Sequence, residues 1–225
     1  MNVIVIAKSP MPGRSKTRLC PPLTPPEAAA AAEAALADTL DAVARCAAER
    51  RILALAGLPG PWLPSGFRIV DQRGRGLDER IANAFEDAGG PALLVGMDTP
   101  QVSPRLLDDC MALASARGVD VGLGLAVDGG WWALAQRAPD PRVLLGIPMS
   151  RRSTGAMQFV RILELDLRCA ILPALRDVDR FEDALAVAAD APGTRFASWV
   201  RRWSDRHGAR SSPNAQPASV GGRLA

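Results

Sequence analysis

The only two lysines of this chain, Lys8 and Lys16, fall inside one short stretch, AKSPMPGRSKTRL, while the other 25 of its 27 basic residues are arginine. Lysine supplies a compact, strongly hydrated ammonium with three rotatable donors, whereas arginine supplies a flat fork. Arg14 and Arg18 stand beside the lysines, and Pro10, Pro12 and Gly13 shape the backbone between them. The stretch follows the first apolar run directly, so it reads as a strand-to-helix loop built to hold an anion, most naturally a polyphosphate. It is not a P-loop, because Ser15 stands where GxxxxGK[ST] requires glycine. The alternative is a solvated basic loop.

Carboxylates supply the complementary chemistry. Asp98 comes just after the apolar run Ala92–Gly96, between Gly96 and Pro100. An acid at a strand end suits a hard cation, Mg²⁺ or Mn²⁺, held between protein and phosphates; the plainer reading is a turn cap. Asp177-Val178-Asp179 is a DxD, whose two side chains share one side of an extended segment and can clamp a divalent ion or approach it from opposite Asp98. Asp179 could equally cap the helix expected from Arg180. Asp128-Gly129-Gly130-Trp131-Trp132 offers close backbone approach and an aromatic wall, or simply a hairpin turn. Strand alternation predicts that one of the two tryptophans faces a pocket and the other packs in the core. Gly122 and Gly124 lack the spacing of a dinucleotide fingerprint.

Composition narrows the chemistry further. The single histidine, His207, lies in a polar stretch near the C-terminus, which leaves serine–histidine, cysteine–histidine and histidine–metal chemistry without a base or ligand. Cys20, Cys46, Cys110 and Cys169 are far apart and form no CxxC, so neither a zinc site nor a disulfide framework is expected. A net charge of +3 with scattered arginines does not suit nucleic acid. The cluster Arg201, Arg202, Arg206 and Arg210 reads as a solvated helix face and tail. With no signal-peptide pattern and no apolar stretch of membrane length, a cytoplasmic protein is expected.

Short apolar runs alternate with amphipathic stretches along the chain. Strands are expected at Val3–Ile6, Ile52–Ala56, Arg68–Val70, Ala92–Gly96, Val119–Leu125, Trp131–Ala135 and Arg168–Leu172. Helices are expected from the Thr24-Pro-Pro-Glu27 capping box to about Ala48, then over Leu77–Ala88, Pro104–Ala116, Thr154–Glu164 and Arg180–Ala189. Near-continuous apolar strands between helices imply a three-layer α/β/α domain with a mostly parallel sheet, whose ligands sit beyond the carboxyl ends of the strands. Residues 1–207 read as one domain, and 208–225 as a disordered tail of Ser, Pro, Asn, Gln, Gly and Arg.

Taken in order, AKSPMPGRSKTRL, VGMDTP, DGGWW, MSRRSTG and DVDRFED resemble the glycosyltransferase-like family associated with radical-SAM and selenodomain proteins, linked by name to arsenosugar biosynthesis. The resemblance runs from about Val3 to Ala189. It implies a nucleotide-diphospho-sugar transferase (GT-A, Rossmann-like) fold, and more distantly a likeness to 2-phospho-L-lactate guanylyltransferase and the molybdenum-cofactor guanylyltransferase. It places Lys8, Gly13, Lys16 and Arg18 on the phosphate loop, with Asp98 and Asp179 on metal positions. Asp128 and Gly129 fall on the acceptor side, as does Ser150 of the MSRRSTG stretch. Two residues depart from the family pattern: Gln101 stands where members often carry aspartate, and Met149-Ser150-Arg151 where they often read WST.

The expected activity is Mg²⁺- or Mn²⁺-dependent transfer from a nucleotide to a small, possibly phosphorylated acceptor, with Lys16 and Asp98 at the reaction centre. Nucleotidyl transfer from an NTP leads, since a triphosphate carries more charge for the basic loop to neutralise. Glycosyl transfer from an NDP-sugar and non-catalytic nucleotide binding are the alternatives. Neither the base, the acceptor nor the oligomeric state is written in the sequence.

Overall fold

The chain begins with a run of β-branched residues, and alternation splits it between two faces: Val3, Val5 and Ala7 enter one core cluster, Ile4 the other. In the computed structural model, which describes residues 1–208, this run is strand β1 (Asn2–Lys8). It is an interior strand, third from one edge, of a seven-stranded sheet. β1 pairs in parallel with β2 (Arg51–Ala56) on one side and β4 (Ala92–Val95) on the other. β2 in turn pairs with β3 (Phe67–Asp71). Beyond β4 comes β6 (Trp131–Gln136), the one reversed strand, then β5 (Val121–Ala126) and the edge strand β7 (Cys169–Leu175). Because β6 runs backwards, the tip of the β5–β6 hairpin joins the rim formed by the carboxyl ends of the parallel strands.

Helices cover both faces. On one face α1 (Pro25–Arg45) and α3 (Pro104–Ser115) pack Leu36, Leu40, Val43, Leu107 and Cys110 against the sheet. On the other, α2 (Leu77–Ala88) contributes Ile81, Ala84, Phe85 and Ala88, and α4 (Thr154–Glu164) contributes Ile162. The start of α1 follows the capping box: the Glu27 carboxylate accepts the Thr24 backbone N–H at 2.8 Å. Among the described residues no helix is long and apolar enough to cross a membrane. The four cysteines are unpaired.

The three layers gain a partial fourth. α1 is rich in alanine because it is covered twice: its second face, Ala28, Ala31 and Ala35, packs on α5 (Phe181–Asp190) and α6 (Arg195–Gly208). The Asp38 carboxylate of α1 accepts the backbone N–H groups of Arg195 and Phe196, at 3.0 and 2.8 Å, satisfying orphan donors at the start of α6. Arg201, Arg202 and Arg206 lie on α6 as the expected helix face, whereas Arg210 and the rest of the expected tail beyond Gly208 lie outside the described residues. Gly208 itself ends the helix.

Every strand differs from its expected bounds by at least one residue, as β1 does in running from Asn2 to Lys8 rather than from Val3 to Ile6, and two strands show why. Val119 and Asp120 stay outside β5, since Gly118 (φ +86°) turns the chain and Asp120 pairs with Arg168 at 3.0 Å. β7 continues through Pro173, which an edge strand tolerates because no partner needs its missing N–H. Gly122 and Gly124 serve packing: a Cβ at Gly124 would stand 2.7 Å from the Trp132 indole nitrogen, and one at Gly122 3.2 Å from the Ala114 Cβ.

The β5–β6 hairpin docks on the start of α4 backbone to backbone. Gly155 N–H donates to the Gly129 carbonyl at 2.9 Å, and a Cβ at Gly155 would lie 2.5 Å from the Gly130 carbonyl oxygen. Helix propensity alone says that Gly155→Ala stabilises α4 by about 1 kcal/mol. The close approach reverses that sign, and the variant should lose about 1–3 kcal/mol in urea denaturation. Gly193→Ala, with open space around it and an ordinary φ, is the control and should be neutral or slightly stabilising.

Candidate active site at the carboxyl rim of the sheet

Five rim segments meet: the loop after β1, the residue after β3, the loop after β4, the β5–β6 tip and the segment after β7. They enclose a cleft of about 530 Å³. Six cations line it (Lys8, Arg14, Lys16, Arg18, Arg80 and Arg151), against four carboxylates, Asp98, Asp128, Asp177 and Asp179. The surplus is positive, as an anionic ligand requires.

The basic loop is held by its own hydrogen bonds. Ser15 Oγ accepts the Met11 N–H at 3.0 Å, and the Lys16 carbonyl accepts the Leu19 N–H at 2.9 Å. Lys16 sits in the left-handed region (φ 49°, ψ 41°), an unusual conformation for a residue with a Cβ. Its side chain, only 12% exposed, runs inward. There the ammonium donates to Asp98 Oδ2 at 2.8 Å and to the Val178 carbonyl at 2.5 Å, with Asp179 Oδ1 at 3.9 Å. Arg18 Nη1 holds the other Asp179 oxygen at 2.6 Å. Lys8 and Arg14 are exposed on the cleft, and among the described residues neither side chain has a hydrogen bond or ion-pair partner. Gly13 (φ +72°) turns the loop but does not line the cleft. Its part in the basic loop is thus conformational.

The acids converge because two segments are tied together. Val178 N–H donates to the Asp98 carbonyl at 3.0 Å, docking the segment after β7 on the loop after β4. Val178 is buried in the α-helical layer, so alternation turns Asp177 and Asp179 the opposite way, toward Asp98. One carboxylate oxygen from each of the three lies within 4.8 Å of the others. Gly96 leaves room for this, since a Cβ there would stand 2.8 Å from Asp98 Oδ1. Asp179 does not cap α5: the Asp183 carboxylate accepts the Arg180 N–H at 2.9 Å in that role. Gln101, the departure from the family pattern, donates to the Arg176 carbonyl at 2.5 Å, a bond that an ionised aspartate in its place could not donate.

The other end of the cleft is mixed. Asp128 lines it while its Oδ1 accepts the Gly130 N–H at 2.8 Å, so this residue both closes the turn and borders the cleft. Gly129 does not line it. A Cβ there would lie 2.0 Å from the Arg152 carbonyl oxygen, so the glycine answers to protein backbone rather than to a ligand. Trp131 walls the cleft beside Ile6 and Met149, while Trp132 is buried with its indole N–H on the Pro173 carbonyl at 2.9 Å. Ser150 lines the cleft with a positive φ of 59°.

Among the lining residues with no individual signal in the sequence are Gln72, Leu77 and Arg80. Gln72 follows β3 directly and donates its amide to the carbonyls of Ala7 and Ala54 at 2.8 and 2.9 Å. Arg151, noticed only as a family departure, also lines the cleft.

Burial, and next the charges of Asp98 and Asp128, push the Asp177 carboxyl up to about 6. Asp177 therefore binds its proton more tightly folded than at its ordinary value of 3.8. Stability present with the carboxyl protonated is lost as pH rises through about 6. Asp177→Asn should make the metal-free protein about 1–2 kcal/mol more stable at pH 7.5, after allowance for solvent screening, with the gain vanishing toward pH 4. Urea denaturation with EDTA at both pH values measures it.

The backbone is similar to known structures over nearly its whole length. A candidate nucleotide-diphospho-sugar transferase from Desulfovibrio desulfuricans G20 superposes with a TM-score of 0.81 at 22% identity, covering 92% of this chain and 96% of that one. A nucleotidyl transferase from Methanothermobacter thermautotroptrophicus gives 0.53 at 18% identity, over 90% and 99%. A cytidylyltransferase from Leptospira borgpetersenii gives 0.51 at 10%, over 96% and 98%. The fold is thus that of the nucleotide-diphospho-sugar transferases. No protein of curated function matches the sequence. Residues 27–151 match the family described as "Uncharacterized protein conserved in bacteria (DUF2064)", and with more than half of its length in that match the chain belongs to this family.

Proposed function

We propose that this protein is a divalent-metal-dependent transferase that passes a nucleotidyl group from a nucleoside triphosphate to a small acceptor. The observation that carries the reading is the meeting of a cationic loop and three carboxylates across one sheet rim, with Lys16 Nζ 2.8 Å from Asp98 Oδ2. The similar nucleotidyl and cytidylyl transferases share the fold, and the distant likeness to guanylyltransferases supports the same reading.

The residues fit a divalent ion. Asp98, Asp177 and Asp179 offer hard oxygen donors close enough to share one cation. When bound, Mg²⁺ or Mn²⁺ would neutralise charge developing on the phosphates during in-line displacement. Lys8 and Arg14, free of carboxylate partners, would meet the triphosphate first. Lys16 and Arg18 would then hold the β- and γ-phosphates while an acceptor oxygen attacks the α-phosphorus and pyrophosphate leaves. Asp128, Ser150 and Arg151 border the space left for the acceptor. Positioning and polarisation do the chemistry, so a histidine base is not needed.

The second reading is glycosyl transfer from an NDP-sugar. It is favoured by the higher TM-score to the candidate nucleotide-diphospho-sugar transferase. A thermal-shift screen of nucleoside triphosphates and NDP-sugars, with and without Mg²⁺, identifies the donor, since a ligand of the folded form raises apparent stability. Pyrophosphate release from an NTP supports the first reading, and nucleoside diphosphate release from an NDP-sugar supports the second. Lys16→Ala should lower kcat/KM by about 10- to 150-fold, the worth of one charge-assisted hydrogen bond; unchanged turnover removes the phosphate role.

A further inference from the structure

Lys16 is poised to bind phosphate, yet its ammonium lies inside the acidic cluster. Two hydrogen bonds, to Asp98 Oδ2 and the Val178 carbonyl, hold it there, and Asp179 Oδ1 is 3.9 Å away. Arg18 occupies the remaining Asp179 oxygen at 2.6 Å. A magnesium ion needs its oxygen ligands at about 2.0–2.1 Å. Lys16 already takes one oxygen of Asp98 and stands 3.9 Å from Asp179 Oδ1, so an ion among carboxylate oxygens that all lie within 4.8 Å of one another would sit against the ammonium. The two cations compete for one place.

We infer that Lys16 is the resident cation of the free site, so that a divalent ion enters only together with a polyphosphate that gives the ammonium another partner. This rests on the nucleotide reading above and adds an order of events to it. A divalent ion arriving alone must expel Lys16 into a cleft that already carries the cations Lys8 and Arg14, which have no partner among the described residues. A polyphosphate arriving with the ion reverses that cost. It neutralises Lys8 and Arg14, supplies acceptors for Lys16, and leaves the Asp98, Asp177 and Asp179 oxygens to the metal. The left-handed backbone at Lys16 fixes the root of the side chain at the boundary between the two partners. The exchange then requires only rotation about side-chain bonds.

Mn²⁺ binding to the full chain, followed by electron paramagnetic resonance, tests the inference without reference to activity. Wild type should bind Mn²⁺ alone weakly. Lys16→Met should bind it at least tenfold more tightly, and Lys16→Arg, which keeps a cation, should not. Lys16→Gln, which retains amide donors for the Val178 carbonyl, should show the same gain if methionine is not tolerated. Inorganic tripolyphosphate, added at a fixed ratio to Mn²⁺, should raise protein-bound Mn²⁺ in wild type and do so much less in Lys16→Met. Equal Mn²⁺ affinity in wild type and the neutral variants, or wild-type affinity indifferent to tripolyphosphate, overturns the inference. A gain in the neutral variants, in a protein that neither binds nor turns over any nucleotide, would instead remove the proposed function and leave the resident cation standing.

Discussion

Three carboxylates held within a few ångströms of one another repel, and the fold tolerates them because an ammonium is built in among them. The contact between Lys16 and Asp98 joins residues 82 positions apart, and the one to the Val178 carbonyl joins residues 162 apart. Removing a partner from such a group leaves charge uncompensated where little water reaches, which costs far more than an exposed ion pair contributes. The loop after β1, the loop after β4 and the segment after β7 therefore hold one another in place. The raised Asp177 pKa reflects first its burial and then the neighbouring carboxylate charges that this arrangement does not cancel.

Packing secures the same junction from behind. Leu19, which closes the basic loop, and Val178, which separates the two acids of the DxD, belong to one buried cluster with α1, α5 and α6. The cationic and acidic parts of the site thus share a hydrophobic anchor. This explains what the outer helices contribute: α5 and α6 do not touch the sheet face, yet they fix where Asp177 and Asp179 stand. Alanine along α1 is what lets a single helix serve two packing surfaces, since its small side chain permits close approach on both sides.

Glycine does two separate jobs around the cleft. At Gly96 the missing side chain makes room for the Asp98 carboxylate itself. At Gly129 and Gly155 it lets two backbones touch, so that the hairpin carrying Asp128 and Trp131 is seated on the start of α4. The second job looks like ligand approach when only the residues are read. It is protein meeting protein.

Much of the architecture was legible from the chain alone, because strand and helix patterns are local and repeat every two or 3.6 residues. The layer order, the mostly parallel sheet and the rim loops with their cations and acids follow from such patterns and from the kinds of residue at strand ends. The pairing of Lys16 with Asp98 rather than with solvent, the role of Asp183 instead of Asp179 as the α5 cap, and the duty of Gly129 toward Arg152 were decided only by tertiary structure. So were Gln72 and Arg80, ordinary polar residues until the sheet order brings β3 and α2 to the cleft. The reason is geometric: a residue's chemistry and its facing are set by its neighbours in sequence, but its partners depend on which strands lie side by side. No local pattern records that β6 inserts between β4 and β5.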